Sequence, residues 1–287
     1  LKRLLPRLAH DLRHLGYEVI ISGDPCYGAC DLDLRARDQA DVLVHIGHTP
    51  VDDTKQVIYE LWPVEGDLTV ISDVIPRLNG RRVGLVTTIQ HIHLLPRVAE
   101  LIRNAGIEPV IAEPSPRTPC PGQVLGCSFD AARKTGTDEI IFLGTGLFHP
   151  IGIQLATRAR VFACDPITGR IEEPDADRLL RVRFGLIQKA QNAESFGIIV
   201  SSKTGQCRSE LADYLCTLSD KAYRIMLGEV SPDQLLNLGF PCYVNTACPR
   251  LAYDDQVRFS VPVLTPCEFE ILCGVRKFET YEVDEIS

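Results

Sequence analysis

The stretch YGACDLDLRARDQADVLVHIGHTP (27–50) has a second copy in VLGCSFDAARKTGTDEIIFLGTGLFHP (124–150). Alignment of Cys30 with Cys127 places an aspartate eleven residues later in both copies, and an apolar residue followed by glycine at sixteen and seventeen. Each copy predicts a short helical stretch and then an apolar strand, VLVHI or EIIFL. This internal repeat indicates that the chain is built from related structural units.

The segments in front of the two copies also correspond. Residues 1–15 and 90–105 have the periodicity of helices, and the apolar runs 17–22 and 107–112 are predicted to be strands. The run RRVGLVTT (81–88) is a further strand that leads into the second helix. It has no counterpart in the first copy, which begins inside its helix, so a natural strand is expected before that helix.

The C-terminal region contains a looser third copy, with an extra strand and helix before its cysteine. Predicted strands cover 195–202, 222–230 and 240–250, and predicted helices cover 206–218 and 231–239. The last of these helices has a capping-box start, SPDQ, and a terminating glycine. Counted from Cys248, Leu264 and Thr265 again fall at sixteen and seventeen residues, after the apolar strand VRFSVPVL (257–264).

Strands that alternate with helices throughout predict an α/β fold with right-handed parallel βαβ units. We divide the chain into three small α/β domains of residues 1–78, 79–180 and 181–287, with a helix at 172–193 that leads into the third. Ligands bind at the carboxyl ends of strands in open parallel sheets. Each domain has one cysteine just after such a strand, so three thiols are expected to meet if the domains face one another. These cysteines are Cys30, Cys127 and Cys248.

Composition restricts the function. The 287 residues are 45% hydrophobic and 24% charged, as in an ordinary globular protein, and no apolar run is long enough for a membrane span. A net charge of −8 gives no broad basic surface for nucleic acid. The 11 cysteines form an odd set without a secretory signal, which argues against a disulfide framework and for a reducing, cytoplasmic location.

Three thiolates that converge on one metal centre leave a fourth position open. A structural zinc site takes four ligands, usually as closely spaced pairs, whereas these cysteines are 97 and 121 residues apart. A 4Fe-4S cluster held by three cysteines leaves one iron free for a substrate. Spacing alone leaves ordinary buried thiols as the commoner interpretation.

Five stretches resemble the archaeal form of 2-(3-amino-3-carboxypropyl)histidine synthase, the family that performs the first step of diphthamide biosynthesis. They are GDPCYGACD (23–31), GQVLGCSF (122–129), FLGTGLFHPIG (142–152), SSKTGQ (201–206) and NTACPRLAYDD (245–255). The resemblance implies three Rossmann-like domains with parallel sheets in a pseudo-threefold arrangement around a central cluster, and a homodimer. It also implies that Cys30, Cys127 and Cys248 hold the cluster.

The resemblance further implies a radical S-adenosylmethionine (SAM) enzyme. It would be an atypical one, because the chain lacks the usual CxxxCxxC signature: Asp33 stands where the third cysteine would fall after Cys26 and Cys30. An electron donor reduces the cluster, and SAM is split at its methionine-derived Cγ into a 3-amino-3-carboxypropyl radical and methylthioadenosine. The radical is expected to add to C2 of a histidine in translation elongation factor two. Cys26, which forms CxxxC with Cys30, is a runner-up ligand, although a spare loop thiol is the more ordinary interpretation.

Two glycine-containing turns are candidates for contacts with SAM. The turn GTGLFHP (144–150) follows a strand, and its candidate residues are Gly144, Gly146 and His149. The turn SSKTGQ (201–206) leads from a strand into a helix, as anion-binding turns do, and its candidate residues are Ser202, Lys203, Gly205 and Gln206. A tight turn and a structural loop histidine explain the same residues without a ligand.

Two further predictions concern polar side chains outside these turns. Asp254 and Asp255 are candidate catalytic residues that orient the substrate imidazole or the SAM amino group, and a solvated turn is the structural alternative. His45 and His48 are predicted to be ordinary loop histidines rather than metal ligands.

Two other functions stay open at this point. A quinolinate-synthase-like dehydratase also combines three α/β domains with a three-cysteine cluster, whose open iron acts as a Lewis acid without SAM. A noncatalytic partner subunit would keep the fold and serve an enzymatic twin. Formation of methylthioadenosine from SAM would distinguish the synthase from the dehydratase. Activity of the protein purified alone would distinguish it from a noncatalytic subunit.

Overall fold

The computed structural model describes residues 2–286 as an α/β protein. Its strands are β1 (Leu43–Ile46), β2 (Val57–Glu60), β3 (Arg82–Thr87), β4 (Glu108–Val110), β5 (Glu139–Leu143), β6 (Arg160–Cys164), β7 (Ile171–Glu172), β8 (Phe196–Ser201), β9 (Ala222–Leu227), β10 (Tyr243–Asn245) and β11 (Val263–Leu264). Its helices are α1 (Leu5–His14), α2 (Leu34–Arg37), α3 (Thr69–Val74), α4 (Leu95–Asn104), α5 (Asp130–Thr135), α6 (Phe148–Thr157), α7 (Ala176–Ala190), α8 (Ser209–Thr217), α9 (Pro232–Leu238), α10 (Arg250–Tyr253) and α11 (Pro266–Leu272). Within residues 2–286, no helix has the length and apolarity needed to cross a membrane.

The middle of the chain forms a five-stranded sheet with the order β4-β3-β5-β6-β7. Its strands are parallel except β7, which pairs with β6 in the antiparallel sense. The chain passes from β3 to β4 on one side and then returns to β5 on the other. The carboxyl ends of β3 and β5 therefore form a topological switch point, where open α/β sheets bind ligands.

The C-terminal part forms a four-stranded parallel sheet with the order β11-β10-β8-β9. Here the chain passes from β8 to β9 and then returns to β10 on the opposite side of β8. This sheet therefore has its own switch point, at the carboxyl ends of β8 and β10. The parallel-dominated α/β class predicted from the sequence is confirmed.

Central strands are buried on both faces. Every residue of β5 and of β8 is buried, as is every residue of β3 after the first. Helices cover both faces of such a sheet, so its strands need apolar side chains in both directions. This explains the apolar stretches within the segments 81–88 and 195–202, and both segments are confirmed as strands.

The N-terminal part has only a two-stranded parallel sheet, β1 with β2. The strand predicted at 17–22 is wrong, because these residues join no ladder. The side chains of Ile20 and Ile21 are 57% and 48% exposed. An apolar run becomes a strand only where a neighbouring strand shares backbone hydrogen bonds with it. Strand β1 pairs with β2 alone, so residues 17–22 have no strand partner in this sheet. The strand expected before the first helix lies outside the described residues.

The strand predicted at 257–264 is also mostly wrong. Only its last two residues, β11, pair with β10, and Asp255–Arg258 form a 3-10 helix. The side chain of Gln256 accepts the Val263 N–H at 2.8 Å and donates to the Val261 carbonyl at 3.1 Å. These side-chain bonds replace the ladder, so the segment folds back on itself. The capping box and terminal glycine predicted for α9 are confirmed.

A buried ion pair anchors α7 to the C-terminal sheet. Arg183 and Glu268 have side chains 1% and 0% exposed, and Arg183 Nε donates to Glu268 Oε1 at 2.8 Å. Arg183 also donates to the carbonyls of Ala252 and Val263, at 2.5 and 2.8 Å. One guanidinium group therefore connects α7, α10, β11 and α11.

Removal of this cation should be costly. Arg183→Met leaves the Glu268 carboxylate buried without its partner, and we expect the free energy of unfolding to fall by about 3–5 kcal/mol. Urea denaturation measures the difference. Arg178→Met, at an exposed position of the same helix, should change stability by less than about 0.5 kcal/mol. Equal stability of the two variants would contradict the role given to the pair.

Candidate metal centre

Cys127 is held at the carboxyl end of β3. The N–H of Val124 donates to the carbonyl of Thr87, the last residue of β3, at 2.9 Å. The loop that leads to Cys127 is therefore hydrogen-bonded to the end of this strand. Leu125 and Ser128 then exchange backbone hydrogen bonds of 3.0 and 3.1 Å around Cys127. The thiol is therefore carried by a closed turn at the switch point of the five-stranded sheet.

Cys248 follows the carboxyl end of β10 in the other sheet. Thr246 still pairs with β8, since its N–H and its Oγ1 donate to the Ile199 carbonyl at 3.1 and 2.7 Å. The side chain of Asn245 accepts the Ala247 N–H at 3.1 Å and donates to the Cys248 carbonyl at 2.8 Å. This amide fixes the turn that carries the thiol.

The turn at 201–206 packs directly on Cys30. A Cβ atom on Gly205 would lie 2.4 Å from the Cys30 Cα, so only a residue without a side chain permits this approach. Gln206 is buried and its Nε2 donates to the Cys30 Sγ at 3.3 Å. Lys203 forms an ion pair of 2.9 Å with the buried carboxylate of Asp31. Cys30 is therefore fastened to the switch point of the C-terminal sheet, although no strand directly precedes it.

The three thiols lie close enough to influence one another. Burial raises the pKa of Cys30, Cys127 and Cys248, and that of Cys248 reaches about 12. Repulsion from Cys30 and Cys127 adds to the shift of Cys248, and repulsion from Cys30 adds to that of Cys127. Such thiols stay protonated at neutral pH, unlike the thiolate of a cysteine nucleophile. A bound metal would replace their protons.

The donor set fits an iron–sulfur cluster. Three soft thiol ligands come from three separate loops, with the buried amide of Gln206 beside one of them. Among residues 2–286, no three His, Cys, Asp or Glu side chains are close enough to hold a single metal ion. A lone zinc ion, with Zn–S bonds of about 2.3 Å, requires a closer set. Soft sulfur donors are the ligands that iron–sulfur centres take.

Arg117 is a residue of this site that the sequence analysis missed. Burial raises the pKa of Cys30 and of Cys127, and the positive charge of Arg117 offsets part of that rise. Arg117 donates from its Nη2 to the Gly205 carbonyl at 3.2 Å. It lies in the proline-rich loop EPSPRTPCP (113–121). A lone arginine in a stiff loop just before the Cys127 turn was the available signal.

Arg208 and the C-terminal segment were also missed. Arg208 donates to the two carbonyls of residues 246–247 at 2.7 and 3.0 Å and forms a 2.7 Å ion pair with the buried Asp284. Two residues further on, the Ile286 N–H donates to the Cys127 carbonyl at 2.8 Å. The end of the chain therefore bridges the turns that carry two of the thiols.

The remaining residues of the 201–206 turn have structural partners. Ser202 is exposed and its N–H donates to the Leu227 carbonyl at 2.9 Å. The Lys203 ammonium group lies between the carboxylates of Asp31 and Glu229, at 2.9 Å from each. It therefore joins this turn to the Cys30 loop. Contacts of the turn with SAM remain a prediction.

The GTGLFHP turn follows β5 as predicted. Gly144 lies against the ring of Phe142, and Gly146 is exposed with a φ of +75°, which favours glycine. The ring of His149 stacks on Phe142 with a centroid separation of 5.6 Å. Burial, and then the charge of Arg250, lower the pKa of His149 to about 4. The imidazole is therefore neutral at physiological pH and can accept one hydrogen bond and donate one.

The two candidate catalytic aspartates differ in their surroundings. Asp254 ends α10, pairs with Arg250 at 2.7 Å and raises the pKa of His149 by its charge, so these three groups form one cluster beyond Cys248. Asp255 pairs with Arg258 at 3.4 Å. Their roles in orienting an imidazole or an amino group remain predictions.

A histidine pair, buried at His45 and partly buried at His48, lies beside Cys26. The Nε2 of His45 and the Nδ1 of His48 are 2.9 Å apart, and the Cys26 Sγ lies 4.0 Å from the other ring nitrogen of His45. The ring of Tyr59 packs against His45 at 5.5 Å. Burial, and then the charge of His48, lower the pKa of His45 to about 4. Both histidines therefore serve the packing of this loop as neutral rings.

This pair should make stability depend on pH. Between pH 6.5 and 4 the unfolded chain binds a proton that the folded His45 does not, so stability falls as the pH falls. We expect a loss of about 2 kcal/mol between pH 7.5 and pH 5 from this group. His45→Gln should remove most of that loss, whereas His14→Gln, in an exposed pair, should not. Urea denaturation at the two pH values gives the comparison, and an unchanged pH dependence in His45→Gln would contradict it.

The fold and the site define an α/β protein whose two larger sheets carry thiols at their switch points, an arrangement suited to holding a sulfur-rich metal centre. The chain belongs to the diphthamide synthesis protein family, whose sequence profile matches residues 1–283. It is 38% identical over 297 residues to 2-(3-amino-3-carboxypropyl)histidine synthase of Pyrococcus horikoshii. The aligned region covers 100% of this chain and 86% of that protein. This confirms the family resemblance and makes the chain an enzyme of the transferase class.

Two further comparisons agree. Subunit 1 of 2-(3-amino-3-carboxypropyl)histidine synthase from Schizosaccharomyces pombe is 30% identical over 298 residues, which cover 93% of this chain and 66% of that protein. The crystal structure of Dph2 from Pyrococcus horikoshii with 4Fe-4S cluster matches with a TM-score of 0.93 and 36% identity, over 100% of this chain and 86% of that chain. That structure carries the cluster in the same fold.

Proposed function

We propose that Cys30, Cys127 and Cys248 hold a 4Fe-4S cluster with which the chain transfers the 3-amino-3-carboxypropyl group of SAM to a histidine. The observation that carries the proposal is that three partly buried thiols from three separate loops lie close enough to repel one another as thiolates. The relative from Pyrococcus horikoshii has the same fold and holds a 4Fe-4S cluster. A ligand set of three leaves one position of the cluster open for SAM.

The acceptor that we propose is C2 of the histidine imidazole in translation elongation factor two. When bound and reduced, the cluster supplies the electron that releases the aminocarboxypropyl group as a radical and leaves methylthioadenosine. The chain contributes position rather than acid or base chemistry at this step, because orientation decides which C–S bond of SAM is cleaved. Rigid turns at the carboxyl ends of β3, β8 and β10 provide that orientation.

Other residues of the site have supporting roles in this proposal. In the turn after β5, the N–H of Gly144 donates to the Cys164 carbonyl at 3.0 Å, so the exposed Gly146 is the residue whose backbone N–H is offered to SAM. Neutral His149 offers one donor and one acceptor. Asp254, beside His149 and Arg250, is placed to orient a polar group of substrate or SAM. Gln206 supports the cluster through Cys30.

The proposal includes its setting in the cell. We infer a cytoplasmic enzyme of three Rossmann-like domains, over residues 1–78, 79–180 and 181–287, in a pseudo-threefold arrangement around the cluster. It acts as a homodimer and receives electrons from a separate donor protein. Membership of the diphthamide synthesis family leaves the quinolinate-synthase-like dehydratase without supporting observations.

Transfer of labelled carbon tests the proposed function. The protein, purified alone and loaded with cluster under anaerobic conditions, is incubated with reductant, elongation factor two and SAM carrying ¹⁴C in its carboxyl group. We expect label in the elongation factor and none in a variant whose target histidine is replaced. A loaded protein that transfers no label contradicts catalysis by this chain and favours a noncatalytic partner subunit.

A further inference from the structure

Arg117 has a buried donor that finds no acceptor within the protein. Its Nε atom is inaccessible to solvent and has no hydrogen-bond partner among residues 2–286, whereas its Nη2 donates to the Gly205 carbonyl at 3.2 Å. A buried N–H without a partner costs about 1–3 kcal/mol or more when the group is charged. Such an atom therefore indicates an acceptor that is supplied by a bound group.

The backbone that carries Arg117 is held in a closed turn. Ser115 and Thr118 exchange two backbone hydrogen bonds of 3.0 Å, and their hydroxyl groups lie 2.7 Å apart. Arg117 is thus presented from a closed turn that contains Pro116, whose ring restricts the backbone further. A donor on such a turn loses little conformational freedom when it binds.

The surroundings of Arg117 identify the acceptor. Gly205, which receives its Nη2 bond, is packed against the Cα of Cys30. The guanidinium group therefore lies beside the loop that carries Cys30, one of the three proposed ligands, where the acceptors of a loaded site are sulfur atoms.

We propose that Arg117 donates from Nε to the sulfur atoms of the centre held by Cys30 and Cys127, and thereby raises its reduction potential. This inference rests on the proposed cluster. A positive charge and a hydrogen bond to sulfur both favour the more negative, reduced state. Arg117 is a positioning and tuning residue in this account, since it acts through the cluster.

A redox titration without SAM tests the inference separately from catalysis. Arg117→Gln and Arg117→Lys are loaded anaerobically, iron and sulfide are counted, and the reduced cluster is followed by electron paramagnetic resonance. We expect a full cluster in Arg117→Gln. At the same applied potential, its ratio of reduced to oxidised cluster should be at least tenfold lower than in the parent, which corresponds to a midpoint potential about 59 mV lower for a one-electron couple. Arg117→Lys keeps the charge without the Nε donor and should lie between. Arg178→Gln, at an exposed position, should match the parent.

Each outcome has a distinct meaning. Equal potentials in the parent and a fully loaded Arg117→Gln would overturn the tuning role while leaving the proposed function intact. Loss of the cluster in both Arg117 variants would overturn it too, because Arg117 would then be an assembly residue. A parent protein that binds no cluster would overturn the proposed function and this inference with it.

Discussion

Serine in place of Cys30, Cys127 or Cys248 is expected to abolish cluster binding and methylthioadenosine formation. Each thiol comes from a different loop, so a variant keeps only two soft ligands for the centre. A hydroxyl oxygen is a hard ligand that suits iron–sulfur centres poorly. Loss of a supporting group behind a metal ligand typically lowers affinity or activity by ~10–100-fold, and loss of a ligand should exceed that.

Iron and sulfide analysis after anaerobic reconstitution gives the direct readout. Cys216→Ser is the matched control, because Cys216 is half-buried on α8 and packs against the core of the C-terminal sheet. It should keep the full cluster and its absorbance. A full cluster in any one of the three ligand variants would remove that residue from the ligand set.

Gly205→Ala is expected to open the site although it removes no ligand. The new Cβ would lie 2.4 Å from the Cys30 Cα and 2.7 Å from its Cβ, so the two backbones must separate. Separation weakens the bond from Gln206 to the Cys30 thiol and the ion pair between Lys203 and Asp31. We expect a several-fold loss of bound iron and a stability loss of about 1–3 kcal/mol.

Gly185→Ala is the control for this substitution. Gly185 lies within α7, and its Cβ would meet no atom within 4 Å. Alanine there should stabilise the protein by about 0.4–1 kcal/mol and leave the iron content unchanged. Iron analysis and thermal unfolding compare the two variants. Full iron content and unchanged unfolding in Gly205→Ala would contradict the close packing of the turn on Cys30.

The sequence alone led to the prediction that three thiols form one ligand set. The repeat aligned Cys30 with Cys127 and led to Cys248, and the structure places all three within reach of one another's charges. Cys127 and Cys248 follow the carboxyl ends of parallel strands, which is the pattern that predicted their proximity, whereas Cys30 is positioned by its packing on Gly205. The parallel-dominated α/β class followed from the same alternation.

Features that depend on distant partners were not predictable. Residues 17–22 have the composition of a strand, but a ladder requires a neighbour that local sequence does not reveal. Lys203 lies in a turn that resembles anion-binding turns, but its ion pairs with Asp31 and Glu229 join segments that local sequence does not connect. Arg117 meets Gly205 from a loop far along the chain.

The product formed from SAM tests the central claim most directly. The protein, loaded with cluster and reduced anaerobically, is incubated with SAM alone, and the nucleoside products are separated by chromatography and identified by mass. A three-cysteine cluster that cleaves the bond to the methionine-derived Cγ predicts methylthioadenosine, absent from the Cys30→Ser variant. Formation of 5′-deoxyadenosine, or of no nucleoside from a fully loaded and reduced protein, would contradict the account.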